Sequence, residues 1–177
     1  MEEKISKSAF CEDSRVKFPT LMHLMSMGFK YVSLKGLKTK YVIAPKTEFD
    51  PLTNILTDYF TEAYNKLNPN VENGAAKKLL AKIQSSLMND DLGRQFYNEI
   101  LLNTGERIID LSSPVNFYKN NTFQVTTEMT CGDKDSDNYR PDITLFVNGL
   151  PLAFIEVKKE NNHKGIQAET DRMKQRF

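Results

Sequence analysis

The chain has 177 residues, of which 40% are apolar and 27% charged, as expected for a globular protein with a hydrophobic core. Its net charge is only +1, so binding to nucleic acid would depend on a local basic patch and not on bulk charge. The two cysteines, Cys11 and Cys131, have neither disulfide-framework nor metal-ligand spacing, which favours a reducing, cytoplasmic compartment. The first ten residues lack the apolar segment of an export signal and no apolar run could span a bilayer, so we expect a soluble protein without a membrane partner.

The first part of the chain predicts one helix and one strand. Residues 14–28 carry a Met-rich apolar stripe that stops at Gly28, and glycine commonly ends a helix. The following residues, 29–34, predict a strand.

Residues 50–105 predict a helical block. Apolar residues recur at helical spacing from Leu52 to Leu67, and two further helical segments follow before Gly105. The block is long for a connection between strands. We therefore expect one domain over residues 1–177, with a helical insertion at about 50–105 and a core at about 107–177.

The pattern then changes to that of strands. Residues 106–111 are strand-like, and residues 112–121 predict a loop because they contain proline, serine and asparagine. Residues 121–131 alternate Phe123, Val125 and Thr127 with more polar neighbours, which predicts a half-buried strand.

The residues that suggest chemistry lie in the hairpin-like stretch 140–159, RPDITLFVNGLPLAFIEVKK. Glu156 and Lys158 face the same side of the second strand, and Asp142 stands at the start of the first. An ion pair at a strand end would be the simplest explanation of Glu156 and Lys158. Two carboxylates held close repel each other, however, so a site that keeps both usually has a cation, and magnesium suits hard oxygen ligands. A lysine beside such a metal can orient a water or stabilise charge on an attacked phosphate, which predicts a metal-dependent phosphodiesterase site.

The register of the hairpin decides whether this site can form. A two-residue Asn148-Gly149 loop with a regular ladder would pair Val147 with Leu150 and would put Asp142 opposite Ile155, on the face away from Glu156. We therefore predict a three-residue loop, residues 148–150, with Gly149 in the left-handed conformation and a G1 bulge. This offset of one residue would bring Asp142, Glu156 and Lys158 to one face.

The same stretch resembles the PD-(D/E)xK nuclease motif and, more narrowly, the N-terminal nuclease domain of the R (restriction) subunit of type I restriction-modification enzymes. The upstream segments NTFQVTTE and MGFKYV resemble that family as well. The matching positions are Arg140, Pro141, Asp142, Asn148, Gly149, Leu150, Pro151, Glu156 and Lys158.

The resemblance implies an α/β fold with a restriction-endonuclease-like core, in which helices flank a mixed central sheet. It also implies that Asp142, Glu156 and the Val157 carbonyl bind Mg²⁺, or Mn²⁺, and that Lys158 positions the attacking water. The expected activity is that of a type I site-specific deoxyribonuclease, which cleaves double-stranded DNA. The expected partners are the modification and specificity subunits of a type I complex.

Three further residues are candidates for the site. Many R subunits carry Gln-x-x-x-Tyr on the next helix; here Gln167 is followed at that spacing by Asp171, which leaves the tyrosine role unfilled. Related nucleases use a glutamate from the first core helix, and here Glu12 just precedes that helix. Glu128, at the end of the neighbouring strand, is the alternative.

The resemblance also implies a longer protein. No Walker A pattern occurs in these residues, so ATP would serve only motor domains outside this chain, and we expect the chain to be a fragment. Two other functions stay open. One is a catalytically inactive DNA- or protein-binding module with a nuclease fold, and the other is a stand-alone nuclease of the same superfamily.

Overall fold

The computed structural model describes residues 13–34, 37–38, 43–44, 47–87, 91, 93–102, 105–131, 139–158 and 163–176. The α-helices are α1 (Phe18–Ser26), α2 (Thr57–Leu67), α3 (Ala75–Leu87), α4 (Pro114–Asn120) and α5 (His163–Arg176). Two π-helical segments, Asp13–Lys17 and Phe96–Leu101, accompany them, the first running directly into α1. The strands are β1 (Lys30–Tyr31), β2 (Leu37–Lys38), β3 (Ile43–Ala44), β4 (Phe123–Thr127), β5 (Ile143–Val147) and β6 (Leu150–Ile155).

The centre of the fold is a four-stranded mixed sheet flanked by helices. Its strand order is β1-β4-β5-β6, with β1 parallel to β4 and the other neighbours antiparallel, while β2 and β3 form a separate antiparallel pair. This is the predicted α/β architecture, consistent with a PD-(D/E)xK-like nuclease core. Among the described residues, no helix is long and apolar enough to cross a membrane.

Strand β4 is buried on both faces, so the prediction of a half-buried strand was wrong. Gln124, Val125 and Thr126 are each at most 1% exposed. Leu24 of α1 covers the Val125 face, and Leu56 packs on Phe146, which pairs with Gln124 on the other face. The polar side chains on the second face are satisfied internally: the Thr126 hydroxyl donates to the Val32 carbonyl, and Gln124 donates to the Thr122 hydroxyl. The polar residues that alternate along β4 therefore lie on a buried face and not on a solvent-exposed one.

Two further predictions for residues 106–121 were wrong. The structure describes every residue from 105 to 113 and contains no strand there, although Ile108 and Ile109 are buried. The predicted loop contains helix α4, whose first turn is capped by the Ser113 side chain accepting a hydrogen bond from the Asn116 amide. Pro114 fits at the start of α4 because the first amides of a helix need no intrahelical partner.

The β5–β6 hairpin has the predicted offset, but at a different place. Val147 pairs with Leu150, and Asn148 and Gly149 both have positive φ angles, 52° and 78°, as in a two-residue type I′ turn. The predicted three-residue loop with a G1 bulge is therefore wrong. Since Phe146 pairs with Pro151 but Leu145 with Ala153, Leu152 is the extra residue, and the bulge lies within β6.

The Asn148 side chain holds the turn in a buried hydrogen-bond network. Its amide nitrogen donates to the Ile108 carbonyl and to Asn121 Oδ1, both at 2.8 Å, and its Oδ1 accepts from the Thr122 amide at 2.8 Å. Asn121 in turn accepts from the Asp110 amide. The turn is thus fixed by the segment that precedes β4, and not only by its own backbone preference.

The helical segments between residues 57 and 101 pack against this turn. The Leu56 amide donates to the Gly149 carbonyl at 2.9 Å. A hydrophobic cluster joins Phe60 of α2 and Ile83 of α3 to Leu150 of β6. That this block is an insertion, and that the chain forms a single domain, both stay predictions.

A second cluster fixes α1 against the sheet. Leu24 of α1 packs with Val125 of β4, Ile143 of β5 and Val157, which follows β6. The α1 helix stops, as predicted, before Gly28, whose φ is 103°. Through this packing the start of the first helix reaches the end of the hairpin where the acidic residues lie.

Candidate active site

The bulge at Leu152 brings Asp142 and Glu156 together. Ile143 pairs with Ile155, so the same register continued by one residue sets Asp142 opposite Glu156, on one face of the sheet. The two carboxyl groups are close enough for each to shift the pKa of the other, and Asp142 Oδ2 accepts a hydrogen bond from the Val157 amide at 3.0 Å. The structure therefore places Asp142 and Glu156 on the same face of the sheet, as the sequence analysis predicted.

Lys158 lies beside these carboxylates. Its Nζ is 4.0 Å from Glu156 Oε2 and 3.6 Å from Oε2 of Glu169, a residue of α5. The side chains of Glu156 and Glu169 are each 14% exposed, so these contacts are partly shielded from solvent. Glu169 also pairs with Arg172 one helical turn further on. Helix α5 thus contributes a carboxylate that orients the lysine.

A second ammonium group reaches Asp142 from the start of the first helix. Lys17 Nζ is 3.1 Å from Asp142 Oδ1 and 3.2 Å from Glu128 Oε1, and its side chain is 13% exposed. Glu128 has a φ of 53°, and its amide donates to the Asp142 carbonyl at 3.2 Å. Arg140 lies 3.9 Å from the other oxygen of Glu128.

Tyr139 contacts the pair Asp142 and Glu156, which together form the acidic centre. Its hydroxyl donates to Glu156 Oε1 at 2.9 Å, and its ring packs edge-on against Phe154. Burial and the neighbouring Glu156 raise the pKa of this hydroxyl, so it stays protonated and acts as a donor near neutral pH. Glu156 therefore has a fixed orientation before any ligand arrives.

The pKa values of the two carboxyl groups are shifted in opposite directions. Burial acts to raise the pKa of Asp142, but the hydrogen bond from the Val157 amide and the Lys17 ammonium outweigh it, so this pKa is lowered. Burial raises the pKa of Glu156, and the Asp142 carboxyl adds to the rise although the Tyr139 hydroxyl opposes it. Opposite shifts of this kind are expected for like charges held together, because ionisation of one carboxyl group disfavours ionisation of the other.

The donor set fits a magnesium ion that keeps part of its water shell. Among the described residues, no three His, Cys, Asp or Glu side chains are arranged as a metal-binding group. Mg²⁺ is commonly held by only one or two carboxylates, with waters filling the remaining positions. The carboxylates of Asp142 and Glu156 are held side by side and repel each other, and a divalent cation between them would relieve that repulsion. Asp142, Glu156 and the Val157 carbonyl stay the predicted ligands.

A cleft beside this centre could admit a substrate. Its volume is about 540 Å³, and it lies between the end of β6 and α5. It is lined by Phe154, Glu156, Lys158, Ile166, Glu169, Thr170, Met173 and Lys174. A cleft of about 600 Å³ on the helical block has a mixed lining that includes Glu72, Lys78 and Lys82, and it includes none of the acidic centre.

The three further candidates have different positions. Glu128 is joined to Asp142 by the Lys17 ammonium, which contacts both carboxylates. Gln167 is exposed on α5 and donates to Asp171 at 3.0 Å. Glu12 lies outside the described residues. Lys17, Tyr139 and Glu169 contact the predicted site residues but were not predicted from the sequence. Of these, only Glu169 had a signal in the sequence, since it is an acidic residue on the helix that follows the motif.

Comparison with known protein families agrees with this geometry. The family model described as Type I restriction enzyme R protein N terminus matches residues 10–176. The chain belongs to this family. The family predicted from the hairpin motif is thereby confirmed.

A curated relative extends the comparison. The Type I restriction enzyme HindI endonuclease subunit of Haemophilus influenzae is 27% identical to the chain over 150 residues. The match covers 78% of this chain but only 14% of that relative. No solved structure was found to match the chain significantly.

Proposed function

We propose that this chain is the nuclease module of a type I restriction enzyme R subunit and that it cleaves double-stranded DNA in a metal-dependent reaction. The observation that carries the proposal is the pairing of Asp142 with Glu156 beside Lys158, on a hairpin whose bulge brings them to one face. Membership in the R-subunit family supports the reaction class. A cytoplasmic location and assembly with modification and specificity subunits follow from the proposal.

The residues divide the work as follows. Asp142, Glu156 and the Val157 carbonyl would hold Mg²⁺ or Mn²⁺, which when bound supplies Lewis-acid polarisation of a phosphate oxygen. Lys158 stays between Glu156 and Glu169, where its N–H groups can orient an attacking water and stabilise negative charge on the phosphate. Tyr139 donates to Glu156 Oε1 and so fixes the orientation of this carboxylate.

Basic residues around the centre suit the phosphate backbone of DNA. The side chains of Arg140 and Arg172 are 58% and 55% exposed, and Lys174 lines the cleft. Contacts of this type fix the position of a duplex without reading its sequence. The proposal therefore leaves target selection to another subunit and assigns ATP hydrolysis to motor domains outside this chain.

One observation favours the alternative, an inactive module that has kept the nuclease fold. Lys17 already neutralises part of the charge on Asp142, as expected of a site that no longer binds metal. The presence of Lys158, which such a module would not need, supports the active form.

The test is cleavage by an intact type I complex whose R subunit carries Lys158→Met. Methionine keeps the length of the side chain but removes its charge. We expect cleavage to fall by at least about a hundred-fold, the effect of removing one transition-state donor, while ATP hydrolysis persists. Lys78→Met is the matched control, because Lys78 pairs with Glu72 on the helical block, with both side chains highly exposed. Wild-type cleavage by Lys158→Met would refute the proposed role.

A further inference from the structure

Lys17 occupies a position that a bound cation would favour. Its Nζ lies 3.1 Å from Asp142 and 3.2 Å from Glu128, so one ammonium bridges carboxylates from two separate parts of the chain. The Lys17 side chain is 13% exposed, against 78% for Lys78 in its ion pair on α3. An ion pair this sheltered interacts more strongly than one at the surface.

The contact between Glu128 and Lys17 is accompanied by an unfavourable backbone conformation at Glu128. Glu128 is one of three non-glycine residues with a positive φ among those the structure describes, and a residue other than glycine, asparagine or aspartate seldom adopts it. The conformation places the Glu128 carboxylate on Lys17 directly after β4 ends. Strained backbone conformations of this kind persist where the surrounding structure holds them in place, and they cluster at functional sites.

The carboxylates of Asp142 and Glu128 flank the Lys17 ammonium, and Glu156 lies beside Asp142 on the hairpin. A positive charge in contact with Asp142 lowers the attraction of that carboxylate for any second cation by Coulomb repulsion. The same charge stabilises the metal-free site, since otherwise the carboxylates would repel one another.

We infer that Lys17 is a built-in counter-ion that competes with the divalent cation for Asp142 and thereby sets the metal affinity of the site. The inference rests on the proposed function. Lys17 weakens metal binding and at the same time keeps the metal-free acidic centre folded. It acts on metal binding through Asp142 and is not a catalytic group.

The test is magnesium and manganese binding by Lys17→Met at pH 8, measured by calorimetry on the 177-residue chain. We expect the dissociation constant to fall by about ten-fold, which corresponds to about 1.4 kcal/mol. Lys78→Met changes the net charge equally and also removes an ion pair, but far from the centre, and should bind as the wild type does. If Lys17→Met does not fold, Lys17→Gln carries the test, because it removes the charge but keeps an N–H donor.

The rise in melting temperature that Mg²⁺ causes gives a second measure, and a merely structural lysine would leave this rise unchanged. Without metal, Lys17→Met should melt below the wild type, and saturating Mg²⁺ should raise its melting temperature more than it raises that of the wild type. Equal or weaker metal affinity in the charge-removing variant, or an unchanged rise with Mg²⁺, would overturn the inference. Failure of the wild type itself to bind metal would instead refute the proposed function.

Discussion

Replacing Gly149 by alanine should destabilise the chain far more than the same replacement at Gly74. Both glycines have a positive φ, 78° at Gly149 and 87° at Gly74, so alanine is strained at either position. A Cβ at Gly74 would meet nothing within 4 Å. A Cβ at Gly149 would lie 2.5 Å from the Leu56 carbonyl oxygen and 2.9 Å from the Phe60 amide nitrogen.

The magnitude follows from separating these two contributions. The left-handed conformation costs alanine about 1–2 kcal/mol, and this part is common to both positions. Overpacking at Gly149 adds about 1–3 kcal/mol, and we expect the upper part of that range because the atoms approached belong to the backbone leading into α2. Separation of α2 from the turn would also weaken the hydrogen bond from the Leu56 amide to the Gly149 carbonyl.

Urea unfolding of the two variants, followed by circular dichroism, measures the difference directly. We expect Gly149→Ala to lose about 2 kcal/mol or more beyond the loss at Gly74→Ala, with a similar dependence on urea concentration. The difference isolates the packing of the helical block against the hairpin turn, because the backbone strain cancels. Losses that agree within about 0.5 kcal/mol would refute this packing.

Two further predictions concern the buried network beneath the turn. Asn148→Asp keeps the shape of the side chain but sets a carboxylate against the Ile108 carbonyl and Asn121 Oδ1, so chemical denaturation should show a loss of about 2–4 kcal/mol; a loss under about 1 kcal/mol would contradict the network. Hydrogen bonds from the side chains of Ser112 and Asn120 lower the pKa of Asp110 from 3.8 to about 2, so the ionised group stabilises the fold above about pH 4 and this contribution is lost as pH falls towards 2. The melting temperatures of wild type and Asp110→Asn should therefore converge over that range, and a constant gap would contradict the assignment.

The sequence predicted the need for an offset in the hairpin but not its position. The requirement that Asp142 and Glu156 share a face followed from the two-residue period of strands. The bulge at Leu152 left no trace in the pattern, because residues 150–155 are apolar throughout and show no alternation that an extra residue could interrupt. Local preference at Asn148-Gly149 decided the turn, and the packing of Gly149 against α2 adds a constraint that no neighbouring residue reveals.

The missed residues of the site have a similar explanation. Lys17 reaches Asp142 and Glu128 only after α1 has packed on the sheet through Leu24, and a contact across that distance in the chain has no local signature. Helix α4, by contrast, was readable: Ser113 before Pro114 is a common helix start, and the prediction gave proline too much weight as a breaker.

The central claim is that Asp142 and Glu156 together bind a divalent metal, and calorimetric titration of Mn²⁺ into wild type and Glu156→Gln tests it most directly. Glutamine keeps the size of the side chain and an oxygen for the Tyr139 hydroxyl, so the fold should survive while one charged ligand is lost. Glu72→Gln, in an exposed ion pair with Lys78, is the matched control. We predict binding by the wild type and the control and no detectable binding by Glu156→Gln. Equal affinity in all three proteins would contradict the account.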